Sequence, residues 1–255
     1  KSPLMYALMY ADETMVNYLI DKGANLDEQD LSGRHMLHYF ANFGYLELLQ
    51  AYECSVAKDL RDYQDKDGCC ILFYAVQSSN LELVQYLISK GFEISHEPEL
   101  KYSLPLYACK SKNVEIPKWL QSQGHIQLYT LEEDGRKTWL VDELSRNALH
   151  YAATGQSYAT TKWLIEELGA DIEAKDDEGA TALLSAITLD ESESSYQVVE
   201  YLLKQGANKT LQMKCHVDGD DLITDKDLKN KNIATAYPGL LNGYLKDKGI
   251  NANIV

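Results

Sequence analysis

The sequence predicts an all-α fold: a solenoid of about six helix-turn-helix repeats, a degenerate C-terminal cap and one extended β-hairpin finger. Three observations carry that expectation. A five-residue string recurs as Pro3-Leu4-Met5-Tyr6-Ala7, Met36-Leu37-His38-Tyr39-Phe40, Ile71-Leu72-Phe73-Tyr74-Ala75, Leu104-Pro105-Leu106-Tyr107-Ala108, Ala148-Leu149-His150-Tyr151-Ala152 and Ala182-Leu183-Leu184-Ser185-Ala186. Its last residues stand 33, 35, 33, 44 and 34 apart. A glycine follows at Gly23, Gly91, Gly124, Gly169 and Gly206, while Asp30-Leu31-Ser32-Gly33, Asp65-Lys66-Asp67-Gly68 and Asp176-Asp177-Glu178-Gly179 supply turn chemistry between units.

Within a unit, the first helix opens at a capping or turn residue: Ser2, Ser103, Asn147 or Thr181. A second helix follows with apolar spacing, as in Leu81, Leu83, Val84, Leu87 and Ile88. The glycine then takes the left-handed conformation that ends it. One such pair is too thin to bury its apolar face, so neighbours must stack.

Three regions depart from the period. The second repeat runs through Tyr52-Glu53-Cys54-Ser55-Val56 without a capping glycine, which marks a soft spot or bend. The 44-residue step holds an insertion at about 125–141, where Ile126 to Leu131 and Thr138 to Val141 flank Asp134-Gly135. Asp-Gly between two β-prone runs signals a hairpin with its turn there. The sixth repeat carries a polar loop insertion at about 189–196. Beyond the repeats at 1–211, residues 212–255 read as a degenerate capping repeat, broken at Pro238-Gly239.

The strings Asp142-Glu143-Leu144-Ser145-Arg146-Asn147-Ala148-Leu149-His150-Tyr151-Ala152-Ala153, Glu167-Leu168-Gly169-Ala170-Asp171-Ile172-Glu173-Ala174 and Lys22-Gly23-Ala24-Asn25-Leu26-Asp27 resemble the ankyrin repeat. The similarity covers about residues 2 to 210, and recurrence makes it specific. It implies stacked helix pairs with β-turn fingers and a role in protein recognition along fingers and inner helices. The family's Thr-Pro opening survives only as Ser2-Pro3. His35-Met36, Cys70-Ile71 and Ser103-Leu104 replace it elsewhere, which should weaken those helix starts. Divergent repeats with few prolines also look similar to those of secreted bacterial effectors, whose site of action would be a host cytosol.

Bulk properties narrow the function. A net charge of −15 argues against non-specific nucleic-acid binding, keeps a long surface soluble and suits a basic partner. The longest apolar stretch, Cys69 to Val76, is too short to cross a bilayer, and no secretory leader opens the sequence. Lys1 in place of Met leaves a longer parent chain open. Five scattered cysteines fit a reducing, intracellular compartment better than a disulfide scaffold. A monomer is expected.

Motifs for chemistry fail on inspection. Cys215-His216 with Asp218 lacks an oxyanion-forming partner motif. Counting a calcium loop from Asp218 puts Leu222 and Ile223 at its fifth and sixth positions, where a ligand and a glycine belong. Cys69-Cys70 is a vicinal pair, and His35, His96 and His125 have no neighbours at metal-ligand spacing. His38 and His150 occupy the slot where the resemblance implies a structural imidazole bonded to the adjoining turn. No catalytic, cofactor or metal site is expected; the expected function is a protein-binding scaffold or adaptor. The alternative is a targeting or regulatory domain of a larger enzyme, channel or secreted effector.

The resemblance also places partner-facing positions. On the fingers these are Arg34, Cys69, Tyr102, Arg146 and Ala180; on the first helices, Asn42, Phe43, Gln77, Ser78, Lys110, Ser111 and Thr154. Phe43 ranks high because that slot is usually polar. Trp139 on the hairpin reads either as a binding anchor or, with more weight, as cover for its neighbouring repeat. The tyrosines at positions 6, 39, 74, 107 and 151 form a ladder, for packing first and recognition second.

Overall fold

A computed structural model describes residues 2–10, 13–53, 59–94, 103–186 and 193–208. The chain divides into two compact units, residues 1–127 and 128–255. The expected capping region at 212–255 and the Cys54 to Val56 part of the expected soft spot lie outside the described residues, while Tyr52 and Glu53 of that soft spot end α4.

The first unit contains α1 (Pro3–Met9), α2 (Glu13–Asp21), α3 (Met36–Phe43), α4 (Leu46–Glu53), a short 3₁₀ turn (Leu60–Asp62), α5 (Ile71–Ala75), α6 (Leu81–Ser89), α7 (Leu104–Lys110) and α8 (Glu115–Ser122). Helix α3 packs on α1 and α5, and each of α1, α3, α5 and α7 packs on the helix that follows it. First helices α1, α3 and α5 therefore stack in one row, and second helix α6 packs on α8. Leu4, Leu37 and Leu72 recur at one repeat position and are essentially fully buried, which makes the ladder of first helices the core.

The second unit contains β1 (Tyr129–Leu131), β2 (Lys137–Trp139), α9 (Ala148–Thr154), α10 (Tyr158–Glu166), α11 (Ala182–Ala186) and α12 (Glu193–Lys204). Helix α9 packs on α10 and α11, and α12 packs on α10 and α11. The last part of the expected insertion at 189–196 is already helical, because α12 starts at Glu193 and carries the apolar spacing of Val198, Val199 and Leu202.

Helix starts differ in quality. Ser2 Oγ accepts from the Met5 N–H at 3.4 Å, and Asn147 Oδ1 accepts from Leu149 N–H at 3.0 Å and His150 N–H at 3.2 Å. The expected weakening at His35 is not found: its Nδ1 accepts from the Leu37 N–H at 3.3 Å, and its own N–H donates to His38 Nδ1 at 2.9 Å. A buried imidazole presents an acceptor lone pair where Thr would present a hydroxyl. Cys70 and Ser103 give no side-chain cap, as expected for Cys70. Thr181 Oγ1 is buried and finds no hydrogen-bond partner among the described residues.

Turns lock consecutive repeats together. Asn80 Nδ2 donates to Gly44 O at 2.9 Å, and Asn113 Nδ2 donates to Ser79 O at 2.9 Å. Between fingers, the Lys66 N–H donates to Ser32 O at 2.9 Å and the Asp177 N–H to Leu144 O at 3.0 Å. Gly33 needs its φ of +76° to fit, since a Cβ there would lie 3.0 Å from Lys66 Cγ and 3.2 Å from Lys66 N.

Candidate functional site

Each finger is a turn opened by an aspartate. Oδ1 of Asp30, Asp65, Asp142 and Asp176 accepts the backbone N–H four residues later, at 3.0, 2.9, 2.8 and 2.7 Å. The second carboxylate oxygen ties the finger to the following helix. Tyr39, Tyr74 and Tyr151 donate their hydroxyls to Oδ2 of Asp30, Asp65 and Asp142 at 2.8, 2.5 and 2.8 Å. In two repeats a guanidinium completes the clasp: Arg34 Nε lies 2.8 Å from Asp30 Oδ2, and Arg146 Nε lies 2.8 Å from Asp142 Oδ2. Each Arg also lies over the tyrosine ring, at 5.4 and 5.3 Å to the centroid.

These contacts set the charge states. Burial would raise the Asp30 carboxyl, but hydrogen bonds from Arg34 side chain and backbone and from Tyr39 outweigh it and hold it at about 2. Asp142 is likewise below its usual range, against the pull of burial, through Arg146 and Tyr151. Burial and the Asp30 bond push Tyr39 up to about 12, and burial and Asp65 raise Tyr74. Tyr39 and Tyr74 are therefore neutral donors, and Asp30 and Asp142 are anions. The two repeat histidines are lowered by burial. His150 Nε2 donates to Ala180 O at 3.0 Å, the structural task implied for this slot.

Beside the Asp30 clasp lies a cavity of about 160 Å³ lined by Met9, Arg34, His38, Tyr39, Asn42, Phe43 and Tyr74. It brings together Arg34, Asn42 and Phe43, three of the residues expected at a partner surface. Arg34 is pinned by Asp30, and the Phe43 ring sits 6.4 Å from that of Tyr39. Its lining combines the apolar Met9 and Phe43 with a guanidinium and an amide, a combination suited to an apolar side chain with a polar neighbour. Met9 was the residue missed, although it stands three residues after Tyr6 just as Asn42 stands three after Tyr39.

Other expected residues are placed differently. Gln77 Nε2 donates to Phe73 O at 3.1 Å, and Lys110 Nζ lies 5.7 Å from the Tyr107 ring centroid. Thr154 is exposed, with Oγ1 donating to His150 O at 2.9 Å. Cys69, Ala180 and Ser111 are buried, because the finger turn or the helix end closes over them, so they present no partner surface. Tyr102 lies outside the described residues, as do Cys215, His216 and Asp218.

In the second unit the hairpin forms about Asp134-Gly135. Tyr129 pairs with Trp139, Thr130 with Thr138 and Leu131 with Lys137, and the Gly135 N–H donates to Glu132 O at 2.9 Å. Tyr129 and Trp139 share a face with ring centroids 5.3 Å apart. Lys137 on that face lies 4.4 Å from the Tyr129 centroid and donates to Leu168 O at 2.6 Å, just past α10. Trp139 is consequently half-buried, while Leu131 is 67% exposed nearby on the same face.

Among the described residues, no group of three or more His, Cys, Asp or Glu stands where it could hold a metal ion. Among them also, no helix is long and apolar enough to cross a membrane.

Comparison with known proteins agrees with this geometry. The family model for ankyrin repeats matches over residues 4–98, 37–129 and 106–213. An ankyrin repeat protein of Acanthamoeba polyphaga mimivirus is 27% identical over 172 residues, 66% of this chain and 21% of that protein. Phosphocholine transferase AnkX of Legionella pneumophila is 24% identical over 220 residues, 82% of this chain and 22% of that enzyme. The human transient receptor potential cation channel subfamily A member 1 is 32% identical over 115 residues, 44% of this chain and 10% of the channel. The chain thus spans about a fifth of the first two relatives. The human ASB11 ankyrin repeat domain superposes with a TM-score of 0.50 at 22% identity, covering 84% of this chain and 87% of that one, a likeness of fold.

Proposed function

Because this chain belongs to the ankyrin-repeat family, we propose that it is a protein-binding module that engages a partner without catalysing a reaction. The observation that carries this reading is the cavity beside the Asp30 clasp, where Met9, Asn42 and Phe43 offer contact surface on a rigid frame. Binding is favoured when the donor groups are held before the partner arrives, since less ordering entropy is then lost. The net charge of −15 suits a partner with a basic surface. The half-buried Trp139 and exposed Leu131 of the hairpin supply a second contact area. We read the module as a monomer acting inside a cell.

Affinity capture with the intact chain tests the reading when compared with Phe43→Ala and Trp139→Ala. Loss of one captured protein with Phe43→Ala, at unchanged melting temperature, supports it. A captured set that neither substitution alters would sink this placement of the surface.

A second reading, a targeting or regulatory domain of a larger enzyme, channel or effector, is favoured by two relatives. One is named a phosphocholine transferase and the other a cation channel, and this chain spans 22% and 10% of them. The intact mass of the native polypeptide separates a module that stands alone from one carried by a larger protein.

A further inference from the structure

The first repeat exposes side chains that other repeats cover. Of the large apolar residues exposed among the described positions, Tyr6, Met9, Tyr10, Met15 and Tyr18 all belong to α1, its C-cap and α2. Repeat position explains which of these call for a cover. Tyr6 is 50% exposed, whereas its counterparts Tyr39 and Tyr151 are 5% and 8% exposed. Met15 stands eight residues before its capping glycine and is 45% exposed; Leu83 and Val198, at the same place, are 0% exposed.

Tyr18 gives the most specific sign. It stands five residues before Gly23, as Tyr86 does before Gly91 and Tyr201 before Gly206. Tyr86 donates its hydroxyl to Glu53, and Tyr201 donates to Glu166 at 3.1 Å. Both acceptors come from the second helix of the preceding repeat, 33 and 35 residues earlier. Tyr18 itself is 56% exposed. Tyr6 tells a parallel story, because Tyr39, Tyr74 and Tyr151 each donate to an aspartate nine residues earlier.

We propose that the outer side of α1 and α2 is a stacking surface for one more ankyrin-type helix pair of the same polypeptide, which presents a finger aspartate to Tyr6 and a second-helix glutamate to Tyr18. The occupant is defined by chemistry: an apolar helix face for Met15, and two carboxylates at the spacings that the other repeats use. Covering the apolar area still open at Tyr6, Met15 and Tyr18 favours docking of a matching helix pair. The inference does not rest on the partner-binding reading, which concerns the cavity lined by Met9, Asn42 and Phe43.

Mass and N-terminal sequence of the native polypeptide test it, with melting curves of that polypeptide and of the 255-residue chain. The expected result is a native chain with Asp nine residues before Tyr6 and Glu or Asp 33–35 residues before Tyr18. Tyr18→Phe then lowers the melting temperature of the native chain by ~3 °C and leaves that of the 255-residue chain unchanged. A native chain without those carboxylates overturns the proposal, as does an equal effect of Tyr18→Phe in both chains. So does a dimer of the native chain that Met15→Glu dissociates, which would assign the surface to a second copy.

Discussion

The Tyr151 hydroxyl donates to Asp142 Oδ2 at 2.8 Å, joining the first helix of its repeat to the finger that precedes it. Asp142 is 11% exposed and also accepts from Arg146, so one carboxylate holds a turn, a cation and a phenol. Tyr39 and Asp30 repeat the arrangement, with Asp30 3% exposed. Tyr39, Tyr74 and Tyr151 are thus struts of the ladder whose polar tips are already engaged.

Tyr151→Phe should therefore destabilise the protein by about 1.5–3 kcal/mol, the range for a hydrogen bond to a charged group. Chemical denaturation measures this. In a double-mutant cycle with Asp142→Asn the two losses should be less than additive. Additive losses would show that the contact carries no energy.

Acid should unfold the protein in two stages. The folded-state pKa values of His38 and His150 lie below the ordinary 6.5, so the unfolded chain takes up protons first and stability falls as pH drops below about 6.5. Asp30 at about 2, against an ordinary 3.8, adds a further loss between about pH 4 and pH 2, with Asp142 acting in the same direction. Melting temperature against pH checks both. His150→Gln should flatten the first stage and leave the second.

Gly33→Ala and Gly135→Ala form a matched pair. Both glycines have positive φ, +76° and +79°, so each substitution incurs about 1–2 kcal/mol for the left-handed backbone. A Cβ at Gly33 would also meet the Lys66 backbone, whereas nothing lies within 4 Å of one at Gly135. The first variant should melt several degrees below the second. Equal melting temperatures would mean the fingers are not held at their observed spacing.

Lys137→Met keeps the bulk of the side chain and removes its ammonium from Leu168 O. Hydrogen exchange at the Glu132 and Leu140 amides, which close the hairpin at 2.9 Å each, should accelerate about 10-fold. Unchanged exchange would show that the hairpin holds its shape without this anchor.

What could be read in the sequence was local or periodic. Asp134-Gly135 announces its hairpin through turn chemistry, and the repeat strings announce the helices through period. The clasp is written there too, as an aspartate nine residues before Tyr39, Tyr74 and Tyr151, but only the folded chain joins finger to tyrosine through the second carboxylate oxygen. Propensity ranks hydroxyls and carboxamides ahead of imidazole as caps, so His35 reads as a poor one in the sequence, and only burial beside His38 puts its ring nitrogen in use. Cys69 and Ala180 follow a finger glycine as Arg34 and Arg146 follow theirs or its serine equivalent. Their short side chains end beneath the turn, while the long arginines reach around the aspartate.

The links from Lys66 to Ser32 and from Asp177 to Leu144 join backbone amide to backbone carbonyl. Such a link is blind to the side chains it connects. Finger-tip residues other than Gly33 can consequently be exchanged over generations while the spacing of the fingers is inherited unchanged. New specificity can then arise by drift at the tips alone, with the frame kept as common property of every variant.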